Sequence, residues 1–262
     1  MNFKQSIPMA TLAGCLALAT PTYAEYKFGF LDTSINYLQW TPGTKARSGD
    51  SLTQPGKKNK QDLAYLEIEG SAEFSWGEFY GFGDLERIFN KKKYRHTALK
   101  GALRYYLPLK NFNIYGQIYD YREHNFYEQN RVIGLGYNTS GKDWWFKPWI
   151  GVHDVGQTFY HGFNGGMAGW VFNYSFKLKK LDLLLTNWHE IEFLRKSQMA
   201  LSNGGKTGLN GAAALWWQMN KHLSTGVQWR YAYNKLGQKG SINAAIYTLK
   251  YFFDLPQPSL EE

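Results

Sequence analysis

The chain has a single cysteine, Cys15, in 262 residues. One thiol closes no disulfide within the chain and builds no thiolate metal site, which needs several. Long apolar runs are missing too. Beyond the N-terminal two dozen residues nothing approaches the ~18 consecutive apolar residues of a membrane-spanning helix, so a helical membrane protein is excluded. The six histidines, His96, His124, His153, His161, His189 and His222, are scattered, with no H-E-x-x-H among them. No metal or other cofactor is therefore expected. No G-x-S-x-G elbow is present either, and the chain is not expected to be an enzyme.

Aromatic residues are plentiful: 17 Phe, 10 Trp and 19 Tyr, against a mean hydropathy of −0.48. Many rings on a hydrophilic average suit strands with one apolar and one polar face. The N-terminus indicates the compartment. Residues 1–24 carry Lys4, an apolar stretch, and Thr22-Tyr23-Ala24, whose small residues suit cleavage before Glu25. Leu12-Ala13-Gly14-Cys15 also suits lipoprotein processing at Cys15, which is the alternative. A net charge of +9 would suit nucleic-acid binding, but secretion and the location of the charge argue against a nucleic-acid partner.

From Phe28 onward, segments of roughly ten residues alternate in polarity. In 64–74, Leu66 and Ile68 alternate with Tyr65, Glu67 and Glu69; in 112–121, Ile114 and Ile118 alternate with Tyr115, Gln117 and Tyr119. The pattern predicts twelve strands: 28–40, 62–75, 77–88, 97–106, 112–122, 130–138, 145–153, 167–177, 181–193, 209–217, 223–233 and 241–253. Connections 41–61, 89–96, 123–129, 154–166 and 194–208 read as long, and those between them as short. Alternating long and short connections with an even strand number are expected of an outer-membrane barrel and not of a soluble sandwich. The predicted fold is all-β, a twelve-stranded antiparallel transmembrane β-barrel over 25–253, preceded by a signal peptide (1–24) and followed by a C-terminal tail (254–262).

Charge follows the loops. Lys45, Arg47, Lys57, Lys58 and Lys60 fall in the first; Arg87, Lys91, Lys92, Lys93 and Arg95 in the second; Arg195, Lys196 and Lys206 in the fifth. The basic charge is expected outside the strands. There Lys57, Lys58, Lys91, Lys92 and Lys93 would meet lipopolysaccharide phosphates in the outer membrane, or would simply be solvated. The last strand reads Tyr247-x-Leu249-x-Tyr251-x-Phe253, an alternating aromatic ending, with nine residues after it.

A carboxylate facing lipid is expensive, so the charged face of each strand must point inward. That puts Asp32, Ser34 and Asn36 in the lumen, with Tyr65, Glu67, Glu69, Glu73, Glu78, Tyr80, Asp84 and Glu86. Lys100, Arg104, Tyr115, Gln117, Tyr119, Gln228, Arg230 and Lys250 join them. Acidic residues fall on the first three strands and basic ones on strands beside them around the wall.

The run DLAYLEIEGSAEFSWGEFYGFGD at 62–84, with Asn36-Tyr37-Leu38-x-Trp40 before it, resembles the nucleoside-specific channel family of Gram-negative outer membranes, the Tsx and OmpK group. The likeness is strongest over the first third of the mature chain. It implies a monomeric twelve-stranded barrel with a narrow pore that passes nucleosides by passive diffusion, and a role as a bacteriophage or colicin receptor. On that footing lumen tyrosines would stack on a base, while carboxylates and Asn36 bind ribose hydroxyls. The plainer possibility is that Glu67, Glu69, Arg104 and Arg230 are ion pairs filling the barrel. Two other functions stay open: a sealed barrel acting as an adhesin or phage receptor, and an outer-membrane lipid-modifying enzyme.

Overall fold

The computed structural model describes residues 24–48 and 60–255. Apart from Ala24, the expected signal peptide with Cys15 lies outside the described residues, as do Lys57, Lys58 and positions 256–262. Twelve long strands run in chain order: β1 Tyr26–Trp40, β2 Leu63–Phe74, β3 Gly77–Glu86, β4 His96–Tyr106, β5 Phe112–Glu123 and β6 Phe126–Tyr137. They continue as β7 Trp144–Gln157, β8 Tyr160–Leu178, β9 Leu181–Phe193, β10 Gly208–Gln218, β11 Leu223–Lys235 and β12 Gln238–Phe252. A two-residue ladder, Thr139–Ser140, pairs back onto β7 inside the β6–β7 turn. Each strand is antiparallel to the next.

The barrel closes where β1 meets β12, in register from Asp32↔Phe252 to Trp40↔Ala244. Closure leaves no sheet edge, so no row of backbone N–H and C=O groups faces hydrocarbon unpaired. The period-two pattern sets which face is which. On β1, Asp32, Ser34 and Asn36 are buried while Ile35 and Tyr37 are exposed; on β2, Tyr65 is buried while Leu66 and Ile68 are exposed. An aromatic belt rings the end with the short turns. Phe74 stacks on Trp76 at 5.9 Å, Phe112 meets Tyr137 at 5.0 Å, and Tyr251 meets Phe253 at 5.3 Å. Rings of this kind settle at the bilayer interface.

The connections differ from the expectation at the other end. Residues 123–129 and 154–166 are not long loops. β5 and β6 are joined by His124 and Asn125 alone, and β7 and β8 by Thr158 and Phe159. β11 turns into β12 through Leu236 and Gly237, both at positive φ, as a type I′ hairpin requires. These strands extend past the apolar wall, where both faces meet polar surroundings and alternation no longer marks a strand. Arg131 and Asp154 pair on the outer surface there, and Arg122 holds Asp120 at 2.7 Å. Only 41–62, 87–95 and 194–207 are long, with short helices α1 (Pro42–Arg47) and α2 (Ser197–Asn203) in the first and third.

The basic charge does not all stay at the rim. Lys60 turns inward, donating to the Leu236 carbonyl at 3.1 Å and lying 5.3 Å from the Trp40 ring. Arg195 is 2% exposed, with Nε 2.7 Å from Glu192 and Nη1 2.7 Å from the Asn234 carbonyl. Burial explains both: a cation removed from water needs carbonyl or carboxylate partners, and the loop-end lumen provides them.

Candidate functional site

The barrel encloses a cavity of about 2140 Å³. Asp32, Tyr65, Glu67, Glu69, Glu73, Glu78, Tyr80, Asp84, Arg104, Tyr115, Tyr119 and Arg230 line it. Asn36 faces inward but is part of the wall. Its Nδ2 donates to Ser34 Oγ at 2.8 Å, its Oδ1 accepts from Thr248 at 2.6 Å, and it is 2% exposed. Its amide is committed to these neighbours, which removes it from the groups offered to a solute.

Near the turn end, Arg104 binds three wall groups: Asn113 Oδ1 at 3.4 Å, Asn138 Oδ1 at 3.3 Å and the Lys147 carbonyl at 2.9 Å. Its guanidinium covers the Tyr115 ring at 4.8 Å, and Tyr115 stacks on Trp149 at 4.6 Å. Lys147 reaches from β7 to Glu78 on β3 as an ion pair. Arg104 and Tyr115 are therefore spent on structure, Arg104 through amide and carbonyl oxygens rather than through an ion pair.

Further in, two salt-bridge systems face each other. Lys250 lies 2.6 Å from Glu69 and 3.1 Å from Asp32, and Tyr80 donates to the other Glu69 oxygen at 2.6 Å. On the opposite side Lys100 meets Glu190 at 2.8 Å, and Gln117 donates to the same Glu190 oxygen at 3.2 Å. Lys100 stands on β4 and Glu190 on β9, so this pair spans the lumen. Charge-assisted bonds of this kind hold otherwise flexible side chains in place, and they narrow the path.

Above them the cavity is lined by two arginines with no ion pair among the described residues, Arg230 and Arg87. Arg230 is stacked 4.7 Å over the Trp188 ring, within electrostatic reach of Tyr65, Asp84 and Tyr119. Among the described residues it makes no ion pair and no hydrogen bond. Glu67 and Asp84 are register partners on β2 and β3, and Ser34 donates to Glu67 at 3.4 Å. A stacked guanidinium keeps its in-plane N–H donors free for a planar acceptor. Tyr65 and Tyr119 supply rings nearby.

At the mouth, His96 lies 3.4 Å from Glu86 and 3.3 Å from Glu123, and its Nδ1 is 2.7 Å from the Tyr121 hydroxyl. Lys60 hangs beside this acidic group. Loss of solvent around its ammonium, only partly offset by Glu123 and Glu86, pulls its pKa down to about 8. Among the described residues no group of three or more His, Cys, Asp or Glu could hold a metal ion.

Several lining residues escaped the sequence analysis: Lys60, Lys147, Trp149, Trp188, Glu190 and Lys235. Inward parity was readable for most of them. Trp145, Lys147 and Trp149 alternate with Phe146 and Pro148 on β7, and Trp188 and Glu190 with His189 on β9. The neighbouring outward residues on β9 are themselves polar, which hid the alternation. Asn187 and His189 point outward and are masked from lipid by Trp170 and Tyr231, at 2.7 Å and 3.0 Å respectively.

A family model described as "Nucleoside-specific channel-forming protein, Tsx" matches residues 35–253. Similar solved structures include the COG4313 outer membrane channel from Pseudomonas putida F1, with 10% identity, TM-score 0.42, and coverage of 90% of this chain and 98% of that one. The outer membrane channel DcaP of Acinetobacter baumannii has 10% identity and TM-score 0.39, with 87% and 96% covered. OccK9 of Pseudomonas aeruginosa has 8% identity and TM-score 0.33, with 87% and 98% covered.

Proposed function

The chain belongs to the nucleoside-specific channel-forming protein family, Tsx, and from that premise we propose that its solutes are nucleosides, passing singly and passively through the barrel. It is an outer-membrane channel. One observation carries the nucleoside reading: Arg230, placed over the Trp188 ring and without an ion pair among the described residues, lies within electrostatic reach of Tyr65 and Tyr119. A neutral, planar solute with carbonyl acceptors suits that station. The base would stack on a tyrosine and accept from the guanidinium, while Glu67, Asp84 and Glu86 accept from ribose hydroxyls. Stacking is worth roughly 1–3 kcal/mol per base, weak enough for release, which flux requires.

The salt bridges at Lys100–Glu190 and Glu78–Lys147 support narrowness, since both cross the path. Liposome swelling tests the preference. Thymidine and adenosine should enter vesicles carrying the protein faster than a sugar of equal size, and equal rates would remove the nucleoside claim. The same proposal takes the barrel as a monomer, residues 1–24 as a signal peptide removed before insertion, and 254–262 as a tail outside the barrel.

A second role rests on the loop end. Leu194 is 72% exposed and Leu201 77%, an apolar surface beside Lys196 that a bacteriophage or colicin could grip. A receptor with no channel function would give a flat trace in a planar bilayer.

A further inference from the structure

The outside of the barrel bears a groove that solute passage does not use. It measures about 610 Å³ and lies over β1, β11 and β12. Register places Tyr37 beside Tyr247 and Tyr247 beside Val227, with Ile35 and Leu249 paired one pleat toward the turn end. All five are outward and roughly half exposed. Ala64 is too small to fill the space beside Tyr37, its partner across β1 and β2.

The groove has a roof. Phe89, 82% exposed, hangs from the loop 87–95 and joins the lining. Its stem is fixed where the Ile88 amide donates to the Ala64 carbonyl at 3.3 Å. An almost fully exposed phenylalanine at the end of an apolar slot lacks an occupant against which to bury itself.

The same loop carries the charge. Residues 87–95 read Arg-Ile-Phe-Asn-Lys-Lys-Lys-Tyr-Arg, with no carboxylate; Arg87 and Lys93 line the lumen, which leaves Lys91, Lys92 and Arg95 for the outside. Arg95 is held beside Phe89 by a bond from its Nε to the Asn90 carbonyl at 3.2 Å, leaving its other donors free. Arg47, on α1, is anchored to the Ser241 carbonyl of β12 at 2.7 Å. Apolar wall below and cations above is the complement of an amphiphile with a fatty chain and a phosphate head.

We propose that this groove binds one molecule of lipopolysaccharide. An acyl chain lies between Tyr37, Val227 and Tyr247 beneath Phe89, and a lipid A phosphate is taken by Lys91, Lys92 and Arg95. Lipopolysaccharide is the anionic amphiphile of the leaflet at which the long loops of an outer-membrane barrel emerge. The inference does not depend on which solute crosses the lumen.

The test uses the folded barrel in detergent, exposed to hexa-acylated lipid A or, separately, to phosphatidylglycerol, with bound lipid counted by native mass spectrometry. One lipid A per barrel should be retained, at least tenfold more tightly than phosphatidylglycerol. Two variants separate charge from groove. The triple change Lys91→Ala, Lys92→Ala, Arg95→Ala removes the phosphate ligands, and Val227→Trp fills the slot. Each should weaken retention at least tenfold with single-channel conductance unchanged, which also reports that the variants are folded. If either variant holds lipid A as the wild type does, or phosphatidylglycerol is held equally well, the assignment is wrong.

Discussion

Lys100 and Glu190 touch across the lumen: Nζ and Oε1 are 2.8 Å apart although the residues stand on opposite walls of the barrel. Ninety positions of sequence separate them. The pair ties β4 to β9, strands that are neighbours nowhere in the sheet, and a passing solute must move around it. Both side chains are largely withdrawn from water, at 17% and 12% exposure.

Breaking this pair should weaken and widen the barrel together. Glu190→Gln leaves a cation facing Gln117 without its counter-ion, which costs on the order of 3 kcal/mol for a buried pair that loses one partner. Urea unfolding in lipid should show the loss, and single-channel conductance should rise. The charge-swapped double variant Lys100→Glu, Glu190→Lys should recover most of both. A conductance unaffected by Glu190→Gln would mean that the bridge does not border the path.

Arg230 makes the sharpest prediction about solutes. Replacing it with Met keeps a long apolar stem against Trp188 but removes every donor. If the guanidinium reads a base, block of ion current by nucleosides should weaken about tenfold, as the loss of roughly 1.4 kcal/mol of binding would give. Arg230→Lys should recover only part, because a single ammonium cannot present a planar fork. Unchanged block in Arg230→Met would place recognition elsewhere in the lumen.

How far the sequence revealed this arrangement depended on whether a strand had water on one side or on both. Within the bilayer, Leu66 and Ile68 have to face lipid, and that alone turns Tyr65, Glu67 and Glu69 inward. Beyond the bilayer the constraint lapses: Gln129, Arg131 and Asp154 are all polar, and β5 through β8 read there as loop although they continue as strand. Site residues were legible on the same terms. Facing direction was readable for Arg104 and Arg230 alike, but not that one is spent on Asn113 and Asn138 while the other is free. That difference arises from strands distant in sequence, as does the contact of Lys60 with the Leu236 carbonyl.

The facing rule itself is testable on the outer wall. Ile68, midway along β2, is 53% exposed and points to lipid, so Ile68→Arg should cost about 2–4 kcal/mol in refolding into bilayers. Arg131→Leu, on the extension beyond the apolar wall, should cost under ~1 kcal/mol, since it removes only exposed contacts, the ion pair with Asp154 and a bond to Gln129. Equal costs at the two positions would contradict the placement of the bilayer.

Lys60 should make the mouth sensitive to mild alkali. Its folded pKa of about 8 lies below the ordinary 10.5 because burial disfavours the ammonium. Below pH 8 the charged form is present and opposes folding; between about 8 and 10.5 the unfolded chain binds the extra proton, so stability rises with pH across that window. Selectivity should move with the same proton. As pH goes from 7 to 9 the mouth loses one positive charge beside Glu86 and Glu123, and the reversal potential in a salt gradient should shift toward cation preference. In Lys60→Met the shift should already be present at pH 7 and should no longer change on going to pH 9. A wild-type reversal potential that stays constant from pH 7 to pH 9 would place Lys60 away from the conducting path.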